Sequence, residues 1–152
     1  MRALAILVAT AGGIGYAPVA PGTWGSLVVV PLFPWLGALH ARSVVAHVGL
    51  VALVIAAGIW AAGRADEAFG AHDHGRIVVD EVSGMLVASL CVPGTWTAAW
   101  LVFVLFRVFD VWKPFPANRI DRRWPGGLGV VGDDLVAGLY AGVAGRVLLE
   151  VL

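Results

Sequence analysis

The sequence predicts an all-α fold: a polytopic helical membrane protein forming one domain over residues 1–152. Three observations lead there. Apolar residues make up 60% of the chain and charged ones 13%, where soluble domains carry about 25% charged residues. A chain this small has a large surface for its volume and cannot cover it with so few charges, so a bilayer is the natural solvent for the excess. The apolar residues also gather into long stretches, while no ladder of alternating ten-residue strands points to a barrel. About four to five membrane-embedded helices are expected.

The elements follow in order. After Arg2, an apolar run over residues 3–9 is at the short limit for a signal peptide, and glycines follow at once. It reads as a first helix that enters the membrane or lies in its interface. Residues 27–39 are apolar but interrupted by Pro31 and Pro34. Residues 44–62 are unbroken by charge, carry one histidine, and match the roughly 20 residues that a spanning helix needs. Residues 84–106 are long enough to span once, yet Val92-Pro93-Gly94-Thr95 in their middle is a strong turn signal. Proline removes a backbone donor, and irregular backbone in lipid must be sheltered by protein. A helical hairpin over residues 81–111 is therefore expected, with helices at 81–91 and 96–111, and it returns both charged ends to one side. Residues 135–152 carry only Arg146 and Glu150. Gly138 and Gly142 there are four apart, a spacing that permits close helix packing. Cys91, between Leu90 and Val92, is the sole cysteine. It can form no disulfide within the chain and reads as a small buried hydrophobe.

Ten basic residues balance ten acidic ones, so no bulk field draws nucleic acid. Three polar islands interrupt the apolar background. The first is Gly12-Gly13-Ile14-Gly15 followed by Ala20-Pro21-Gly22-Thr23-Trp24-Gly25-Ser26. Its glycines and hydroxyls can present backbone N–H groups to an anion, although no lysine follows as in a nucleotide P-loop. The second runs from His72-Asp73-His74-Gly75-Arg76 to Asp80-Glu81. Adjacent acids at the mouth of an apolar helix cost several kcal/mol unless metal, base or water meets them. Helix N-terminal capping by acids contributes only about 1 kcal/mol, so hard-metal ligation is the stronger reading. His72 and His74 are possible site residues, but two histidines two apart do not share a helix face.

The third island holds Arg107, Asp110 and Lys113, three apart and hence along one helix side. Pro114 stops that helix and leaves Lys113 at its tip. Arginine binds a phosphomonoester through two parallel hydrogen bonds, while lysine acts as a point charge. Arg122 and Arg123 read as a positive-inside loop. Asp133-Asp134 then opens the last helix as Asp80-Glu81 opens an earlier one. Two acidic pairs at helix starts with cations between them make a metal-plus-phosphate site.

These motifs, in this order, resemble the phosphatidylglycerophosphatase A family. The likeness covers nearly the whole chain and is carried by APGTWGSL at 20–27, HDHGRIVVDEVSGM at 72–85, FRVFDVWKPFPANRIDRR at 106–123 and GGLGVVGDDLVAG at 126–138. Val131-Gly132, where the family usually carries larger hydrophobic residues, departs from the pattern and bears on packing. The resemblance implies a bacterial inner-membrane, Mg2+-dependent hydrolase with its site at the cytoplasmic side. Its substrate would be the phospholipid phosphatidylglycerophosphate. It points to Asp80, Glu81, Asp133 and Asp134 as metal ligands and catalytic groups, with Asp110 completing the catalytic set. Arg107 and Lys113 would bind the phosphate, with Asp110 orienting both. Thr23, Ser26 and Arg122 are further phosphate-binding candidates, and Asp121 is a possible site residue. The alternative from another class is a small ion-translocating or non-catalytic membrane protein with an acidic cation site, since acids in a membrane commonly mark ion paths. Arginines beside those acids would repel cations.

Overall fold

The computed structural model describes residues 1–71 and 73–151, and among them every regular element is helical. Helix α1 (Arg2–Ala9) buries Ala5 and Ala9, and Arg2 Nη2 donates to Ala68 O at 2.9 Å. Prolines then shape an arm of α2 (Pro21–Leu27), a 3-10 turn (Val30–Leu32) and α3 (Phe33–Arg42). Pro21, Pro31 and Pro34 all sit in first turns, where a missing N–H costs no helix hydrogen bond. The first island therefore folds as a turn followed by a helix, rather than as one open glycine loop.

Ser43 caps α4 (Val44–Phe69) by accepting from Ala46 N–H at 3.2 Å, and Gly70, left-handed, ends it. This helix runs past the apolar stretch through Arg64, Asp66 and Glu67. The expected hairpin is present as α5 (Val79–Ser89) and α6 (Trp96–Trp112), with Thr95 capping α6 through Ala98 N–H. A short α7 (Ala117–Arg123) leads to α8 (Gly126–Val151).

The last helix differs from expectation, because Asp133 and Asp134 stand seven and eight residues inside α8 instead of opening it. The glycines before them are helical for a tertiary reason. A Cβ at Gly127 would collide with the Ile59 carbonyl of α4, and one at Gly132 would lie 2.8 Å from Ile120 Cγ2. Close packing here outweighs the roughly 1 kcal/mol that each glycine costs a helix. It also accounts for the small residue at 132, where α7 occupies the space.

Helix α5 lies at the centre. It runs alongside α8 in the same direction, with Gly84 against Gly138 and Ala88 against Gly142. It runs opposite to α4, which meets it at Gly58 beside Ser83 and at His47 beside Ser89. Phe33, Leu36, Met85, Val102 and Phe106 fill the core between the arm and the hairpin. The lone histidine of the 44–62 stretch is wholly buried. Ser89 Oγ donates to Leu86 O, so it accepts from His47 Nε2, leaving His47 Nδ1 to accept from His40 Nδ1 at 3.2 Å. That relay ties α3, α4 and α5 together at the end of the bundle away from the acids.

All seven tryptophans are at least 40% exposed, alongside many aliphatic side chains. Two stretches, Pro21–Arg42 and Val44–Phe69, are long and apolar enough to cross a membrane by length and composition. That is fewer than the four to five embedded helices expected. The reason is length and charge: α5 has 11 residues, about 16 Å, against a hydrocarbon core of about 30 Å. Helix α8 is long enough but carries Asp133, Asp134, Arg146 and Glu150.

Candidate active site

Two chain segments far apart in sequence bring the buried acids together. Asp80 and Glu81 occupy the first turn of α5, while Asp134 comes from α8. One carboxylate oxygen from each lies within 4.8 Å of the others. The approach depends on the paired glycines, since a Cβ at Gly84 would stand 2.6 Å from Asp134 O. Asp80 and Asp134 are 6% and 3% exposed, yet among the described residues Asp80 Oδ1, Glu81 Oε2 and Asp134 Oδ2 have no hydrogen-bond partner. Buried oxygens without donors are costly, and three acids that each carry one and stand close enough to share an ion make a ready ligand set for a hard cation. A cation here would hold the ionised form that burial opposes.

The cations enter from α6. Arg107 Nη1 is 2.7 Å from Asp110 Oδ2 and 3.9 Å from Glu81 Oε1, and it donates to Ser26 Oγ at 3.4 Å. Ser26 is itself held by donating to Gly22 O. Gly22 leaves room for the Glu81 carboxylate, since a Cβ there would push Glu81 Oε1 from its place. Asp110 thus orients Arg107, as the three-residue spacing predicts. It does not orient Lys113. The chain leaves the helix at Lys113 with φ +46, and its ammonium lies 2.7 Å from Asp133 Oδ2 and 3.0 Å from Asp121 Oδ1. Burial opposes that ammonium, but hydrogen bonds to Asp133 and Asp121 outweigh it and push the lysine pKa above its ordinary value. The expected metal quartet therefore divides. Asp80, Glu81 and Asp134 converge, while Asp133 turns to Lys113, because consecutive residues on a helix point about 100° apart.

A cavity of about 310 Å³ joins these groups. Among the described residues, six carboxylates line it (Asp73, Asp80, Glu81, Asp110, Asp133 and Asp134), and two cations, Arg107 and Lys113. Thr23, His74, Asp121 and Arg122 are not among the described residues of its wall. His74 instead packs on the Phe69 ring at 4.7 Å and accepts from Arg76 N–H, and Arg122 is exposed on α7. His72 lies outside the described residues. Asp73 is the wall residue the sequence reading passed over. Its backbone is left-handed, φ +51, and its N–H donates to Asp66 Oδ1. The only signal was that aspartate tolerates the left-handed backbone of a turn.

The family profile of phosphatidylglycerophosphatase A matches residues 7–149. The chain belongs to the phosphatidylglycerophosphatase A family. It is accordingly an enzyme of the phosphatase class. Phosphatidylglycerophosphatase A of Escherichia coli K12 is 37% identical over 144 residues, covering 89% of this chain and 77% of that protein. The Haemophilus influenzae protein of the same name is 36% identical over 136 residues, covering 89% of this chain and 82% of its own length. A Bacteroides thetaiotaomicron protein, provisionally named phosphatidylinositol-3-phosphatase, is 37% identical over 148 residues, covering 91% and 89%. No solved structure matches the chain. The family resemblance carried by the four motifs is thus borne out along nearly all of the chain.

Proposed function

We propose that this phosphatidylglycerophosphatase A family member hydrolyses the terminal phosphomonoester of phosphatidylglycerophosphate, using Mg2+, at the cytoplasmic face of a bacterial inner membrane. Residues 1–152 act as one domain, with the hairpin and α8 embedded beside α4. One observation carries the reading. The cavity has four more carboxylates than cations, and a phosphomonoester brings nearly two further negative charges. Such an anion enters only if cations offset the acids.

Asp80, Glu81 and Asp134 would hold the metal, one carboxylate oxygen from each lying within 4.8 Å of the others. Magnesium fits because it takes oxygen ligands and leaves positions for substrate phosphate. Bound there, it supplies charge neutralisation at the phosphoryl group and activation of water. The chain's own groups do the rest. Arg107, fixed by Asp110 and Ser26, grips the phosphate through parallel N–H donors. Lys113, fixed by Asp133 and Asp121, adds a point charge where negative charge accumulates. Water attacks phosphorus, the ester bond to the lipid breaks, and the released oxygen takes a proton to become the hydroxyl of phosphatidylglycerol.

The test is phosphate release by purified protein in mixed micelles, with Mg2+ and with chelator. A parallel arm supplies phosphatidylinositol 3-phosphate, since one relative is named for that activity. Release from phosphatidylglycerophosphate that stops on chelation and returns with Mg2+ is expected. Equal or faster release from the phosphoinositide would reassign the head group, and metal-independent release would remove the cation.

A further inference from the structure

The cavity has one wall at the start of α2, Pro21 and Gly22, and another at the end of α6. From there the two elements run side by side in opposite directions. Arg107 of α6 reaches Ser26 of α2 near the cavity. At the far end Gly94, just before α6, packs on Gly37 of α3, where a Cβ on either glycine would lie 2.5 Å from the other's Cα. A seam between the α2–α3 arm and α6 therefore begins at the phosphate-binding cations and follows α6 along its length.

The surface of that seam is apolar and of a defined length. Trp100, Val104, Val108 and Val111 of α6 are each more than half exposed, and their spacing of four, four and three makes one helix stripe. Val111 lies one turn from Arg107, so the stripe begins beside the guanidinium. Across the seam, Trp24 and Val28 are also exposed. Trp100 to Val111 rises about 16 Å, close to the roughly 15 Å that one leaflet contributes to a hydrocarbon core. Cations at the head of an apolar stripe one leaflet long match an amphiphile with an anionic head and hydrocarbon tails. Helix α8 also exposes Leu139, Val143 and Val147, but the charged residues of that helix that reach the cavity, Asp133 and Asp134, are acids and would repel the anion.

We propose that the acyl chains of the substrate phospholipid lie along this seam while its phosphate reaches Arg107, so that the lipid is hydrolysed without leaving its leaflet. This rests on the lipid phosphatase reading above and adds the place of the tails. Moving tails from lipid to a protein surface exchanges one apolar surrounding for another. The seam's contribution is therefore orientation of the head group in the cavity.

The experiment uses the full chain in phosphatidylcholine vesicles containing phosphatidylglycerophosphate with a photoactivatable group on one acyl chain. A matched sample carries the same group on phosphatidylcholine, and adducts are mapped by mass spectrometry. At residues 24–28 and 100–111, labelling by the phosphorylated lipid should exceed that by phosphatidylcholine at least fivefold. It should also fall when unlabelled phosphatidylglycerophosphate is added. Equal labelling by both lipids shows bulk lipid contact only and overturns the proposal, as does enrichment at residues 139–147 instead. Phosphate release is followed in the same samples. Enriched seam labelling without release would remove the proposed activity and leave the seam standing, whereas release without enrichment would do the reverse.

Discussion

Arg107 touches three groups at once, with Asp110 at 2.7 Å, Ser26 at 3.4 Å and Glu81 at 3.9 Å. A lysine there keeps the charge but loses the planar fork that makes parallel hydrogen bonds. Arg107→Lys should lower kcat/KM at least tenfold, about 1.4 kcal/mol, with insertion and expression near normal. A variant with full activity would rule out a two-bond clamp. The acids make a different prediction. Asp80 and Asp134 are buried and each has an oxygen without a donor, so neutralising one removes repulsion as well as a ligand. Asp80→Asn and Asp134→Asn should each lower turnover at least 100-fold, about 2.7 kcal/mol. They should also weaken Mn2+ binding followed by electron paramagnetic resonance. Thermal stability without metal should be unchanged or higher. Wild-type Mn2+ affinity in both variants would mean that the metal sits elsewhere.

Between α5 and α8 the limiting contact is backbone against backbone. A Cβ at Gly138 would collide with the Gly84 carbonyl, and the whole α5–α8 spacing sets how near Asp134 comes to Asp80. Overpacking of this kind typically costs 1–3 kcal/mol, so Gly138→Ala should lower the melting temperature in detergent and reduce activity together. Gly49 of α4 is the control, because a Cβ there meets nothing within 4 Å. Gly49→Ala should be neutral or stabilising by roughly 0.5–1 kcal/mol through helix propensity. Equal losses in the two variants would show that the α5–α8 contact is not limiting.

Across the molecule, the hairpin decides whether a site exists. Asp80 at one end of α5 and Asp110 near the end of α6 share a cavity because the chain turns back at Val92–Thr95. In a membrane that return should leave Arg76 and Arg119 on the same side. Single cysteines at those positions in a Cys91→Ala background, probed with an impermeant thiol reagent, should label from one face only. Labelling from opposite faces would restore a single crossing and separate the two halves of the cavity.

What the amino-acid order determined by itself was local or compositional. An excess of apolar residues selected helices, Pro93-Gly94 marked the turn, and acids and cations stranded in that background marked where chemistry sits. The family followed from the same four motifs, since each is a short run whose residue types and spacing are visible without a fold. The tertiary structure decided the partners. Asp133 and Asp134 are adjacent in sequence and equivalent by type, yet the helix sends one to Lys113 and the other to the Asp80–Glu81 oxygens. Gly127 and Gly132, ahead of those acids, belong to the helix because α4 and α7 pack against them. Asp73 joins the wall from a loop pinned to α4, where its N–H meets Asp66 Oδ1. Each of these depends on which surfaces meet across long stretches of chain. Side-chain direction and close backbone approach are set by that packing and have no short-range signature.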